Sequence, residues 1–497
     1  MRPTRSCTAP LRKAPADPAR RTLLRRAGCA IAALALPRTA LADDAGSARM
    51  IRLSEYMAGA GARPLPDAVV EKAKHHILDT LAAMISGAEL PPAQAAFRFA
   101  RDYAADRTAT IVASNLTANP IEAALVNGML AHADETDDSH EYSQSHPGCA
   151  VVPAALAAGE KFGIDGSKFL RAVTLGYDIG TRLTMSFGAI DFRNNSHKST
   201  HAIAGVFGAA AAAGCAAGLN AQQMRWLLDY TAQMSAGIGA WTRDTRHIEK
   251  AFVFAGMPAR NGITAALVVE SGFTGIDDIF SGADNYFLAY APQARQNELT
   301  QELGERYEIA RTNVKKWPVG SPIQAALDAI DIILGRHPVE PDQIASVVVR
   351  LAHTEARIVN NREMPDISVQ HMVSVMLLDR TVSFSAAHDK ARMNDPEVLK
   401  MRSKVRLVPD DELERLEPER HAVVEITLKD GSVLSEHVAH VRGTAENPMD
   451  RDEVVRKARD LTEPVLGRAK SADLIQRMLN LERLQDVREL RPSLQRS

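Results

Sequence analysis

The sequence predicts a mainly α fold: a large all-α domain built from two chain segments, with a smaller α+β domain inserted between them. Three observations carry this. Apolar residues recur at helical spacing from Ser47 to about Glu308. Near residue 310 the texture changes to β-branched runs around an Asp-Gly turn. After Asn447-Pro448 charged amphipathic helices return. A chain of 497 residues also exceeds what one core ordinarily holds. The segments fall at 48–308, 309–442 and 443–490.

Leu65-Pro66-Asp67 opens a helix that carries Val69, Val70, Ala73, Ile77, Leu78 and Leu81 on one face. Asn119-Pro120 opens another, a capping side chain followed by proline in the first turn. Pro153 stands near the start of a third helix, and Phe169 to Tyr177 begins a fourth. Ala202 to Leu219 is an uncharged run of about 18 residues, the length of a membrane span. It is mostly alanine and glycine, so it reads as a buried central helix that lets its neighbours approach closely. Further on, Ile323–Leu334 and Gln370–Leu378 read as helices, and Ile344–Leu351 as a strand. His421–Leu428 and Val433–Val441 flank Asp430-Gly431 as a hairpin. Residues 451–462 and 471–482 are the closing helices.

The formal net charge is −2, but nine basic residues and one acidic residue lie within 1–42. The remainder therefore carries −10 and has no basic run, which argues against a nucleic-acid partner. An anionic ligand would have to be held by a local cluster of cations. Of the four cysteines, Cys7 and Cys29 lie in the basic leader, and no zinc-type spacing occurs. Cys149 and Cys215 are read as buried free thiols, with a disulfide as the alternative. The leader itself combines Arg20-Arg21-Thr22-Leu23-Leu24, an apolar stretch from Ala27 to Pro37, and Ala40-Leu41-Ala42 before two aspartates. That order is the pattern of a twin-arginine export signal and predicts a periplasmic protein with no membrane span once mature. A cytoplasmic chain with a basic tail is the alternative.

Four segments carry candidate chemistry. The densest runs from His132 through Asp134, Glu135, Asp137, Asp138, Ser139 and His140 to His146. Carboxylates and imidazoles this close can be tuned for proton transfer, can bind a metal, or can form a solvated acidic loop. His197 to His201 precedes the alanine-rich helix, where Ser199 or Thr200 can cap and a carboxylate can be held at the helix start. Arg243, Arg246, His247 and Lys250 crowd one short stretch, and Lys315-Lys316-Trp317-Pro318 marks a shaped loop at the second domain. Each reads equally well as solvated surface. Together they supply a base, an acid and cations, which is what elimination beside a carboxylate requires.

The segments from His132 to Glu160, Ser199 to Leu219, Lys250 to Gly275 and Val314 to Ile330 resemble, in that order, the motifs of the MmgE/PrpD family. The likeness covers about residues 48–465. That family includes 2-methylcitrate dehydratase, cis-aconitate decarboxylase and iminodisuccinate epimerase. The resemblance implies a lid formed by the α+β domain, a homodimer, and a site at the domain junction that uses neither metal nor organic cofactor. It implies catalytic roles for Glu135, Asp137, Asp138, Ser139, His146, His201 and Lys250. His132, Arg246 and Lys316 are expected to bind substrate. Glu135 stands where the family motif has aspartate, and Ser139 where it has threonine. The lid histidine of the decarboxylases is missing at Gly320-Ser321, and their lid tyrosine is replaced near His371-Met372. The expected activity is dehydration or hydration of a small polycarboxylate resembling 2-methylcitrate. Epimerisation, decarboxylation, and capture of a carboxylate without turnover are the alternatives.

Overall fold

The computed structural model describes residues 38–103 and 107–496, with side chains from residue 47 onward. Residues 1–37, which hold most of the leader and both of its cysteines, lie outside the described residues.

The chain is mainly α-helical. Its first helices are α1 (Arg38–Gly59), α2 (Asp67–Gly87), α3 (Pro91–Tyr103) and α4 (Pro120–Ala131). The Asn119 side chain accepts from Glu122 N at 3.0 Å and so caps α4 as the sequence indicates. Next come α5 (Gly148–Phe162), α6 (Gly166–Ser186), α7 (Ala189–Ser196), α8 (Thr200–Ala217) and α9 (Ala221–Gln233). Pro153 lies inside α5, not near its first residue, because the helix begins directly after Pro147.

Helix α8 is the alanine-rich run. Its apolar window is 94% buried inside the protein, which makes it a core helix. It packs against α5 and α6, and against the later helix α11 introduced below. Glycine makes this approach feasible. A Cβ built on Gly180 of α6 would stand 2.2 Å from the Ala204 carbonyl oxygen of α8. Scarce aromatics and abundant small residues thus have a direct structural consequence: the helix backbones touch.

A short helix and a longer one flank a π-helical turn. α10 (Ile248–Ala251) runs into the π segment Phe252–Gly256 and then into α11 (Met257–Glu270). π turns inside α-helices occur often at functional sites. This one presents Phe254 and the residues around it to the region described below.

The second part of the chain holds a four-stranded sheet in the order β4-β3-β5-β6, after a small two-stranded ladder, β1 (Ala109–Thr110) with β2 (Thr117–Ala118). The strands are β3 (Ile344–Leu351), β4 (Val405–Pro409), β5 (Ala422–Leu428) and β6 (Val433–Val438). β5 and β6 form the hairpin around Asp430-Gly431, with Ala422 opposite Val438 and Thr427 opposite Val433. Gly431 takes φ +88°, which explains the glycine at that turn. β4 pairs parallel with β3 and has no signature in the sequence reading. Helices Ser321–Arg336 and Val369–Asp379 pack with this sheet.

Buried apolar residues form two main cores. The larger draws on residues from Met50 to Val314 and again from Met449 to Leu494. The smaller runs from Trp317 to Val441. Arg451–Leu466 packs back onto α2, so the last helices complete the first core. Cys149 and Cys215 are both buried and unpaired, in line with the free-thiol reading.

Candidate active site

The segment between α4 and α5 is not a solvated loop. Every residue from His132 to Gly148 is buried except the half-buried Tyr142. Burying so many carboxylates and imidazoles is costly unless each finds a partner, so the ion pairs decide the structure here.

Asp138 forms the floor. Its carboxylate accepts from Gly148 N at 3.1 Å, meets His76 Nδ1 at 3.1 Å and accepts from the Tyr177 hydroxyl. A Cβ on Gly148 would lie 2.6 Å from both Thr80 Oγ1 and Tyr177 Oη, so glycine is needed where α5 starts. Asp137 lies one residue earlier and joins two imidazoles. It is 3.0 Å from His132 Nδ1 and 3.3 Å from His146 Nδ1, with Lys315 Nζ at 3.7 Å. Burial pushes its carboxyl up, but His132, His146 and Lys315 outweigh burial and hold it well below the usual range.

Glu135 is the second focus. Its side chain pairs with the Lys250 ammonium and lies 3.1 Å from His247 Nε2, while Lys315 donates to its backbone oxygen at 2.7 Å. Burial again opposes ionisation, and Lys250, His247 and Lys315 again prevail, leaving Glu135 well below its ordinary value. It is therefore an ionised anchor and a weak base.

An aromatic stack holds the histidines. The Phe254 ring lies between His201 (centroids 3.8 Å apart) and His132 (4.7 Å), each at an interplanar angle of 14°. His146 stands 5.2 Å from His201 and 5.0 Å from His132. Burial, then the neighbouring imidazoles and cations, pushes His201 well below its normal value. Burial likewise lowers His132 to about 4, against the pull of Asp137. Both rings are thus neutral at pH 7 and act as hydrogen-bonding groups, not as charges. Ser199 caps α8 through Ala202 N at 3.3 Å, which sets His201 in the first turn.

These groups open onto a cavity of about 910 Å³ lined from both cores. Glu135, Ser139, His146, His201 and Lys250 line it, as do Gly320, Ser321 and Pro322 from the second core. His132, Asp137 and Asp138 lie behind the wall. Arg246 is exposed and does not line the cavity; its neighbour His247, buried in a left-handed turn at φ +61°, is the residue that reaches Glu135. Lys316 also turns away, pairing with Asp331 at 2.7 Å, and Lys315 takes the inward position. His371 and Met372 are buried in the second core and line no part of the cavity.

Gln144 and His388 carry no clear sequence signal. Gln144, His197 and His247 all adopt positive φ, at 51°, 58° and 61°. Such strain at non-glycine residues costs about 1 kcal/mol or more each and gathers at functional sites. His388, from the second core, lies 3.1 Å from Asp134 and is raised to about 9 by that carboxylate in spite of its burial. One atom each from His132, Glu135 and His247 also lies within 4.8 Å of the others, a spacing a metal could use. The Lys250 ammonium on Glu135 opposes a cation there.

Two family models match most of the sequence. The MmgE/PrpD N-terminal domain model matches residues 51–298, and the MmgE/PrpD C-terminal domain model residues 317–482. The chain belongs to the MmgE/PrpD family. Its relatives are enzymes. It is 24% identical to "Cis-aconitate decarboxylase" of Aspergillus terreus over 463 residues, covering 86% of this chain and 91% of that protein. It is 25% identical to "Cis-aconitate decarboxylase" of Homo sapiens over 447 residues, covering 85% and 89%. A third relative, "Cis-aconitate decarboxylase-like protein oryM" of Aspergillus oryzae, is 23% identical over 86% of this chain and 93% of its own length. In this MmgE/PrpD chain the two family-model matches are separated at residues 299–316, and the first stretch of the larger core ends at Val314.

Proposed function

We propose that this MmgE/PrpD chain is a cofactor-independent lyase that removes a proton beside a carboxylate of a small polycarboxylate. The observation that carries the reading is the Asp137–His146 pair at the cavity wall, beside Lys250. With Nδ1 turned to a buried, ionised carboxylate 3.3 Å away, His146 keeps Nε2 for the substrate. Lys250 and the N–H of neutral His201 hold substrate carboxylates. His146 takes the α-proton, the electron pair forms the new C=C bond, and the β-hydroxyl leaves as water with the proton returned to it. Ser139, which lines the cavity, hydrogen-bonds the departing oxygen. Lys250 and Lys315 stabilise the enediolate charge.

Dehydration or hydration of a 2-methylcitrate-like acid is the reaction we favour. Decarboxylation is the second reading, supported by the printed names of the relatives. Gly320-Ser321, which line the cavity where a decarboxylase histidine is expected, count against it. The test is proton NMR of citrate, 2-methylcitrate, cis-aconitate and related acids in D2O with the purified protein. Solvent deuterium entering the α-position, together with dehydrated or hydrated product, supports the proposal; binding of an acid without exchange or product refutes it.

We further propose export through the twin-arginine-like leader to the periplasm, and a homodimer. A leader-fused periplasmic reporter and the solution mass of the mature protein test these two points.

A further inference from the structure

The cavity is larger and more cationic than a compact tricarboxylate needs. A volume of about 910 Å³ lies near the top of the range for drug-sized ligands. Seven lysines and arginines line it, against two carboxylates, Glu135 and Asp244. This contrasts with the chain beyond residue 42, where acidic residues outnumber basic ones by ten.

Five of the lining residues are arginines: Arg193, Arg243, Arg357, Arg362 and Arg420. Only Arg420 has a carboxylate partner among the described residues, Glu355 at 2.6 Å. Its Nε is buried without a hydrogen-bond partner. Arg193 donates to the neutral Gln144 side chain at 2.8 Å, and Arg362 to the Thr242 carbonyl at 3.2 Å. Arg357 and Arg243 have neither a side-chain hydrogen bond nor an ion pair among the described residues. By contrast, Arg306, Arg311, Arg350, Arg392, Arg442 and Arg451, away from the cavity, are all matched with carboxylates.

Arg193 lies within electrostatic reach of two of the others. Burial lowers the Arg193 guanidinium, and the charges of Arg420 and Arg357 lower it further, with Glu417 the one opposing charge. Arg193 comes from α7 of the first core; Arg357 and Arg420 belong to the segments flanking the sheet of the second. Mutually repelling cations across a cleft favour an anion that bridges them. Gln144 fixes Arg193 to the loop that carries His146 two residues later, so the cluster is tied to the reacting end.

We propose that Arg193, Arg357 and Arg420 form a distal anion subsite, so that the natural substrate carries a second anionic group several bonds from the carbon that loses its proton. The inference rests on the polycarboxylate reading and narrows it to extended acids. Planar guanidinium groups suit a carboxylate or phosphate-type group equally.

The test is calorimetric binding of matched pairs to the full chain: azelate against nonanoate, and adipate against hexanoate. Members of each pair differ only in the distal carboxylate. The wild type is expected to bind one diacid about tenfold tighter than its monoacid, the size of one charge-assisted contact. Arg193→Gln and Arg357→Gln should bring that ratio within about twofold, with melting temperatures used to verify folding. Arg357 is exposed, so its variant is a safe probe of the subsite. Lys250→Ala should weaken diacid and monoacid alike. A diacid preference unchanged in both arginine variants, or absent in the wild type, overturns the subsite. A Lys250→Ala protein that binds all four acids as the wild type does overturns the polycarboxylate reading instead.

Discussion

Replacing Asp137 by asparagine isolates the charge that organises the site. The side chain is fully buried and serves His132 at 3.0 Å, His146 at 3.3 Å and Lys315 at 3.7 Å. Asparagine keeps the shape but loses the charge, and its amide can present an N–H to His146 Nδ1. The imidazole then turns the wrong tautomer to the cavity, and nothing stabilises the imidazolium formed when it accepts a proton. Loss of such an orienting carboxylate removes about 10³-fold or more of the rate, about 4 kcal/mol of barrier. The assay is deuterium incorporation into the best acid from the NMR screen, read as kcat and KM, with circular dichroism as the fold control. The expected result is a large fall in kcat with KM within about threefold, since Lys250 and His201 still bind. A folded variant within about threefold of wild-type kcat would refute the assignment of His146 as the base.

Four other outcomes are expected. Lys315→Ala should lower kcat/KM by about 10²-fold or more, while Lys316→Ala, which loses a pair with Asp331 and a contact with the Trp317 ring, should stay within about twofold; steady-state kinetics checks both. Thermal melts from pH 6 to 9.5, compared with His388→Gln, test the Asp134 pair, which joins the two cores. The folded His388 value is raised to about 9, so its stabilisation is full below about 6.5 and is lost as pH rises through 9; the wild-type advantage should shrink across that window. Asp137 and Glu135 are depressed instead, so their stabilisation is present above about pH 4 and disappears as pH falls through their folded values. The stability advantage of the wild type over a Glu135→Gln, Lys250→Met double variant should therefore shrink as pH falls below about 4, read by urea melts across that range. Gly180→Ala should cost about 1–3 kcal/mol, because the new methyl meets the Ala204 carbonyl of α8; urea melts measure it.

Helical periodicity, the Asn119-Pro120 start, the alanine-rich run and the Asp-Gly hairpin were all readable because each is a local signal that its own few residues satisfy. Strand β4 was not. Its parallel partner β3 lies more than fifty residues away, and its short partly exposed edge shows no alternation. The site divides in the same way. Composition marked the segments, and burial then selected among readings that composition left open, since a solvated loop and a buried ion-pair network can share one sequence. Side-chain direction was the weakest inference. At 315–316 the two adjacent side chains go to different partners, Lys315 to Glu135 and Lys316 to Asp331, so a family match one residue off selects Lys316 instead of the inward Lys315. At 246–247 a left-handed turn at His247 sends the histidine inward and leaves Arg246 in solvent. The arginine cluster was illegible because its members are gathered from α7, the segment after β3 and the segment before β5.

The central claim is that His146, set by Asp137, moves a proton beside a substrate carboxylate held by Lys250. The most direct measurement is the rate at which solvent deuterium enters the α-position of the best acid, for wild type, His146→Ala and Lys250→Ala, after exhaustive chelation. The account predicts exchange by the chelated wild type, none above background with His146→Ala, and exchange recovered in Lys250→Ala only at much higher acid concentration. Exchange by His146→Ala at the wild-type rate, or its loss from the wild type on chelation with recovery on adding one metal, would contradict it.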